Sequence, residues 1–417
     1  MRPTTTPRLA ALQCGLLAAL LILAAGCDTG PGESLYDPDP TTNPDPAVTA
    51  VSPDPSEIVL AGIDDVTLTG TNFSANASEN LVYFNDVRAE VVEASPTQLR
   101  VRAPNVPSPE LQIRVAVLGA ENYSNLVPYR LVSAIVPFGD LGMADEPIGI
   151  GSDDLGNAYV SIFSEGSSVG IDRFTPEGER SDYFSTTFPW SDLAVGPDGA
   201  LYGVRGVQAV FRLPEGMAQQ TYQVVTGSAR LGALTFGPNG ELWTGSREGG
   251  LFRVAPGGGS FEQFDLPGNI RDLVVFDGAL YVAVTQDNVS RVVRFPIDSN
   301  GDLGAAETYI DVTAAFTAQA LALAFAQDGT LFIGTDAGGA IDLQERNPVV
   351  SVLPDGSTEV VYPGVLGPAQ SSTFVQVRSL AWDASTGLYA IRRFEIQAQT
   401  TEIFFDLVRI ETRKTGA

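Results

Sequence analysis

Residues Ala194–Val204 read AVGPDGALYGV: an apolar strand, a Pro-Asp-Gly turn, and a second strand carrying an aromatic residue. Pro197 presets φ for the first corner of a tight turn, Asp198 suits the second, and Gly199 accepts the left-handed conformation that follows. Leu193, Val195, Leu201 and Val204 supply the apolar and β-branched side chains of buried strands. The pattern recurs as LTFGPNGELWTG, LVVFDGALYVAV, LAFAQDGTLFIG and LAWDASTGLYAI, with a divergent first copy, IGIGSDDLGNAYVSI. The turn glycines are Gly156, Gly199, Gly240, Gly278, Gly329 and Gly387, giving six copies at intervals of 38 to 58 residues.

A repeat of about 40 residues with one hairpin per copy predicts β-propeller blades, each a four-stranded sheet. A second internal signal agrees. Downstream of most hairpins lies a strand with a recurring arginine: IDRF, VFRL, LFRV, VVRF and LVRI carry Arg173, Arg212, Arg253, Arg294 and Arg409, while the fifth copy has VSVL with Ser351. Each blade thus reads as strand A, tight turn, strand B, loop, strand C, tight turn, strand D. An arginine at a fixed strand register is expected to be a packed or solvated side chain rather than a binding ladder. Residues 147–417 resemble six-bladed propellers of the NHL, gluconolactonase-like and streptogramin-lyase-like kind through their "apolar strand, D/N-G, L-Y/W/F" core. That resemblance implies the fold but not the activity, since the fold hosts hydrolases, lyases and binding modules alike. The last copy ends near the C-terminus, so LVSAIVPF at 131–138 is expected to supply the missing outer strand and close the ring.

At the N-terminus, Arg2 and Arg8 precede the apolar run LAALQCGLLAALLILAAGC. The run is too short and too rich in alanine for a secure membrane span, and it ends in small residues. It resembles a bacterial lipoprotein signal peptide with a lipobox, Ala24-Ala25-Gly26-Cys27. The resemblance implies removal of residues 1–26, lipidation of Cys27, and an exported protein held to the cell envelope, on its periplasmic side or outer surface. Removing that segment leaves 22 basic against 50 acidic residues, with Lys414 the sole lysine. So acidic a chain argues against nucleic acid and against docking on anionic headgroups, leaving the acyl chains as the membrane contact. With Cys14 removed and Cys27 modified, no internal disulfide can form.

Residues 27–46 form the expected extended, disordered tether, because the stretch DTGPGESLYDPDPTTNPDPAV at 28–48 repeats Asp-Pro pairs. Residues 47–131 alternate short strands with Pro, Asn and Gly turns, as a small β-sandwich does. Val51-Ser52-Pro53, VTLTGTNF, FNDVRAEVV and RVRAP make this segment similar to a TIG/IPT domain, an immunoglobulin-like fold. The expected architecture is therefore all-β: an immunoglobulin-like sandwich at 47–131 followed by a six-bladed propeller at 132–417.

The chain contains no histidine. That excludes Ser-His-Asp and Cys-His nucleophilic sites, histidine proton transfer and the ordinary zinc and iron ligand sets. Carboxylate chemistry and an oxygen-ligand cation such as Ca²⁺ survive. The gluconolactonase resemblance implies a divalent metal held by Glu, Asn and Asp, but Asn157 and Asn239 fall in A–B turns at the wrong end of the blades. Asp298-Ser-Asn300-Gly-Asp302 has the oxygen spacing of a calcium loop, yet Leu303 stands where a glycine is wanted and Tyr309 where a glutamate is wanted. A plain C–D turn is the expected reading.

Propeller ligands tend to sit at the channel mouth, among D–A and B–C loops. That logic singles out Trp190 and Asp192, Arg230, Arg271 and Asp272, Asp336 and Arg378 as candidate ligand-binding residues. The long insertions at 335–348 and 391–403 are further candidates for partner contact. The expected function is a non-enzymatic envelope lipoprotein that binds or scaffolds a protein or carbohydrate, needing no cofactor. The rival is a metal-dependent lactonase-like hydrolase with its site at the same mouth.

Overall fold

The computed structural model describes residues 42–164, 167–227, 229–336, 348–366, 372–397 and 401–417. The signal segment, Cys27 and most of the tether lie outside them, as do most of the insertion at 335–348 and residues 398–400.

The first seven strands are β1 (Ala47–Ser52), β2 (Asp65–Thr71), β3 (Asn80–Phe84), β4 (Val87–Ser95), β5 (Gln98–Arg102), β6 (Ser108–Val117) and β7 (Val127–Leu131). They join in the order β1-β2-β5-β4-β3-β6-β7. β4 pairs with β3 over Val87–Ala89 and then with β5 from Glu90 onward, passing from one half of the sandwich to the other. Alternating apolar residues face inward, and Val66, Leu68, Val82, Phe84, Leu99, Val101, Ile113 and Val115 are fully buried between the layers. Contacts begin before residue 47: Asn43 N–H donates to the Gly119 carbonyl, and Asp45 accepts from Asn122. The end of the Asp-Pro segment is thereby part of the sandwich.

The remaining strands form six four-stranded sheets. Their inner strands are Asp145–Ser152, Asp192–Val195, Leu231–Phe236, Asn269–Phe276, Ala320–Phe325 and Ser372–Trp382. Six apolar clusters lie between neighbouring blades, one at each seam, including the seam that joins blade six to blade one. Ile135–Pro137 pairs with Thr401–Glu411 as the outer strand of blade six, so an N-terminal strand closes the ring as the strand count requires. The two domains meet where that strand begins. Ala61 N–H donates to the Val132 carbonyl, Val132 N–H to the Val59 carbonyl, and Arg413 pairs with Asp64.

The recurring arginine has a structural explanation. Strand register sets Arg173, Arg212, Arg253, Arg294 and Arg409 opposite Tyr159, Tyr202, Trp243, Tyr281 and Tyr389, and sets Ser351 opposite Phe332. Each arginine finds an acid near the tight-turn end of the blade: Arg212 binds Asp198 at 3.0 Å, Arg253 binds Glu262 at 2.9 Å and Asp302 at 3.0 Å, and Arg409 binds Asp383 at 2.6 Å. Gly199 has φ of 74°, as its turn demands. Gly387 is needed for a different reason: it is extended, and a Cβ there would lie 2.1 Å from Asp383 Oδ2 and 2.2 Å from Arg409 Nε.

Candidate functional site

Inner strands run from the mouth inward and strands B run back, so residues early in A and late in B gather at the mouth. In five blades the A–B register slips by one residue in this region. A bulge of this kind re-aims the extra residue away from the ladder. The extra residues Gly232, Arg271, Leu321 and Arg378, with Ser191 from blade two, line a central cavity of about 730 Å³. Thr415, Gly416 and Ala417 line its far end, where Ala417 N–H donates to the Phe325 carbonyl.

One residue beyond the bulge lies a second layer. Asp192 accepts from its neighbour's amide, Leu193 N–H, at 2.9 Å and from Leu234 N–H of blade three at 2.8 Å. Asp272 repeats the arrangement with Leu273 at 2.7 Å and Leu323 of blade five at 2.6 Å. Ser379 holds the equivalent place in blade six and donates to the Ile148 carbonyl of blade one at 3.4 Å. Blades two, four and six therefore staple themselves to the next blade, while the intervening blades carry Gly149, Ala233 and Ala322 there. Burial raises both carboxyls. Asp272 is pushed up to about 7 against the pull of its two N–H donors, and Asp192 is raised well above its usual range by burial and by the Asp272 charge.

The other sequence candidates are placed differently from one another. Trp190 does not line the mouth. It is fully buried at the seam of blades one and two, edge-on to Phe184 and Phe211. Arg230 is exposed on the rim and paired with Glu248 at 3.2 Å. Arg271 and Arg378 both reach the cavity. Asp336 accepts from Gln319 N–H at 2.8 Å, and its charge offsets the lowering of Arg271. Asp298 caps its own turn by accepting from Asn300 and Asp302 amides, and Asp302 holds Arg253. Asn157 and Asn239 sit in tight turns bound to Asp153 and Glu241. Among the described residues, no three Asp, Glu, Cys or His side chains converge to hold a metal ion.

Three mouth residues escaped the sequence reading. Arg205 lies over Phe188, Trp190 and Phe211, 4.3 to 5.2 Å from the ring centres. Arg247 crosses the bulge of blade three: a Cβ on Gly232 would lie 2.8 Å from Arg247 Nε. Arg393 pairs with Glu395 at 2.9 Å. Their signal was present, because each stands three or four places after its strand-B aromatic, as Asp336 does after Phe332.

Residues 46–130 match the family model of the IPT/TIG domain. No curated protein sequence matches the chain. Among solved structures, an auxiliary nutrient binding protein from Bacteroides thetaiotaomicron is similar over 89% of this chain and 98% of its own, at 11% identity and a TM-score of 0.51. Another auxiliary nutrient binding protein, from Bacteroides ovatus, aligns over 89% of this chain and 98% of its own at 11% identity and a TM-score of 0.44. Virginiamycin B lyase from Staphylococcus aureus covers 65% of this chain and 87% of its own, at 15% identity and a TM-score of 0.43. At such identities the likeness is one of fold. The chain joins an IPT/TIG domain to a six-bladed β-propeller.

Proposed function

We propose that this protein is a binding module of the bacterial cell envelope, held by lipid on Cys27 and offering its propeller mouth to a protein or carbohydrate ligand. The observation that carries the reading is the polar cavity of about 730 Å³, which is framed by bulged strands of a closed ring. That volume lies in the range of small-ligand sites, and much of its wall is the inner strands of the blades. The neighbour described as an auxiliary nutrient binding protein, similar over 89% of this chain, supports the same reading. Among the described residues no helix is long and apolar enough to cross a membrane.

Two measurements test it. Full-length protein expressed with labelled palmitate should take up label and sediment with membranes, while Cys27→Ser should do neither. Purified full-length protein, screened by thermal shift against sugars and peptides, should be stabilised by at least one of them. Leu321→Trp, which fills the channel, should lose that gain. A wild type stabilised by nothing, or a Leu321→Trp variant stabilised equally, contradicts the binding reading.

A further inference from the structure

Two of the four bulge residues lining the cavity are arginines, Arg271 and Arg378, and Arg247 lies close over a third, Gly232. Their charges are near enough to repel. Arg247 lowers both others, and Arg271 and Arg393 also lower Arg378, in each case after the larger effect of partial desolvation, although all three side chains stay exposed to the channel solvent. Elsewhere in the propeller arginines are answered by acids, as Arg180 is by Asp172 at 2.6 Å and Arg392 by Asp406 at 2.5 Å. Among the described residues, the guanidinium groups of Arg247, Arg271 and Arg378 form no ion pair or hydrogen bond. The chain carries 50 acidic residues, so neutralising partners are not scarce.

Other charges at the mouth do not cancel the three. Arg393 is held by Glu395, Arg230 by Glu248, and Asp336 brings one negative charge beside Arg271. Asp192 and Asp272, deeper in the channel, turn to the amides of neighbouring blades rather than to the arginines. Three guanidinium groups gathered around one end of the channel make a concave site where a planar donor fork suits carboxylate or phosphate.

We propose that the mouth is an oxyanion site, whose ligand is a small organic molecule bearing two or more carboxylate or phosphate groups bound by Arg247, Arg271 and Arg378. This rests on the mouth being the ligand site. It narrows the carbohydrate class to acidic or phosphorylated sugars and sugar-derived acids, and disfavours neutral ones.

The test is calorimetric titration of the full-length protein at low salt with citrate, galactarate and glucose 6-phosphate, and with glucose as the neutral control. At least one anion should bind, at least tenfold more tightly than glucose. Its affinity should fall tenfold or more in Arg271→Gln and in Arg378→Gln, fall with added salt, and stay unchanged in Arg230→Gln on the rim. Thermal melting of the unliganded variants guards against misfolding. Both mouth variants should melt no lower than wild type, because a repelling charge has been removed. Citrate separates a carboxylate requirement from the sugar frame, and glucose 6-phosphate reports phosphate. Anions that bind no better than glucose, or that bind equally well to both mouth variants, overturn the proposal. If glucose binds and Leu321→Trp abolishes it, the binding module stands and the oxyanion site falls.

Discussion

The two ends of the propeller use the same residue type in opposite ways. At the tight-turn end, each recurring arginine lies against a strand-B aromatic and is neutralised, as Arg212 is by Asp198 and Arg409 by Asp383. Lys414 joins this end through Asp328 at 2.5 Å. At the mouth, Arg247, Arg271 and Arg378 lie near one another, and no acid among the described residues is bound to them. A charge that is paired and buried along its stem serves stability, whereas unpaired like charges held together oppose it. The fold tolerates the second arrangement at one end only, and that end opens on the cavity.

The contrast can be attacked from the turn end first, where the largest effect is expected. Asp383 is buried and accepts from Ser385 N–H at 2.7 Å, Gly387 N–H at 2.9 Å and Arg409 Nε at 2.6 Å. Asp383→Ala strands those donors and should cost about 3 kcal/mol in denaturant unfolding. The same variant should leave anion affinity at the mouth unchanged. A cost below about 1 kcal/mol would mean that the turn-end pairs are as dispensable as ordinary surface ion pairs.

A second, smaller effect lies between the two ends. Burial raises the folded-state pKa of Asp272 from the ordinary carboxylate range to about 7. A raised carboxyl favours the protonated folded state, so its contribution is fully present below pH ~4 and is lost as pH rises through about 7. Wild type should therefore lose stability between pH 5 and pH 8. Asp272→Asn should flatten that loss, both by removing the titrating group and by relieving Asp192 of a neighbouring charge. Urea midpoints of both proteins at the two pH values check this. Equal slopes in the two proteins would place the titration elsewhere.

Much of this was legible in the residues. Six hairpins with D/N-G turns, the closing strand near 131–138 and the IPT/TIG segment each announced themselves through alternation and turn chemistry. The arginine of strand C was legible as packing because it recurs with the aromatic of strand B, and register makes the two face each other. The mouth was harder to read. Trp190 and Asp192 lie two residues apart, yet the tryptophan fills a seam and the aspartate reaches the channel layer. A one-residue bulge between strands A and B decides which side chain enters the cavity, and a bulge leaves no mark in composition or spacing. Arg271 and Arg378 were found because charge stands out in an apolar strand. Arg247 was missed although its offset from Trp243 matches that of Asp336 from Phe332, because its approach over Gly232 is a contact between blades' ends and not a pattern along the chain.

The central claim, that the mouth arginines bind an anion and find no acid partner among the described residues, is most directly tested by melting Arg247→Gln/Arg271→Gln/Arg378→Gln beside wild type at low salt, with and without citrate. The account predicts that the triple variant melts higher than wild type without citrate, and that citrate raises the melting temperature of wild type alone. A triple variant that melts lower without citrate, or that gains as much from citrate as wild type does, would contradict it.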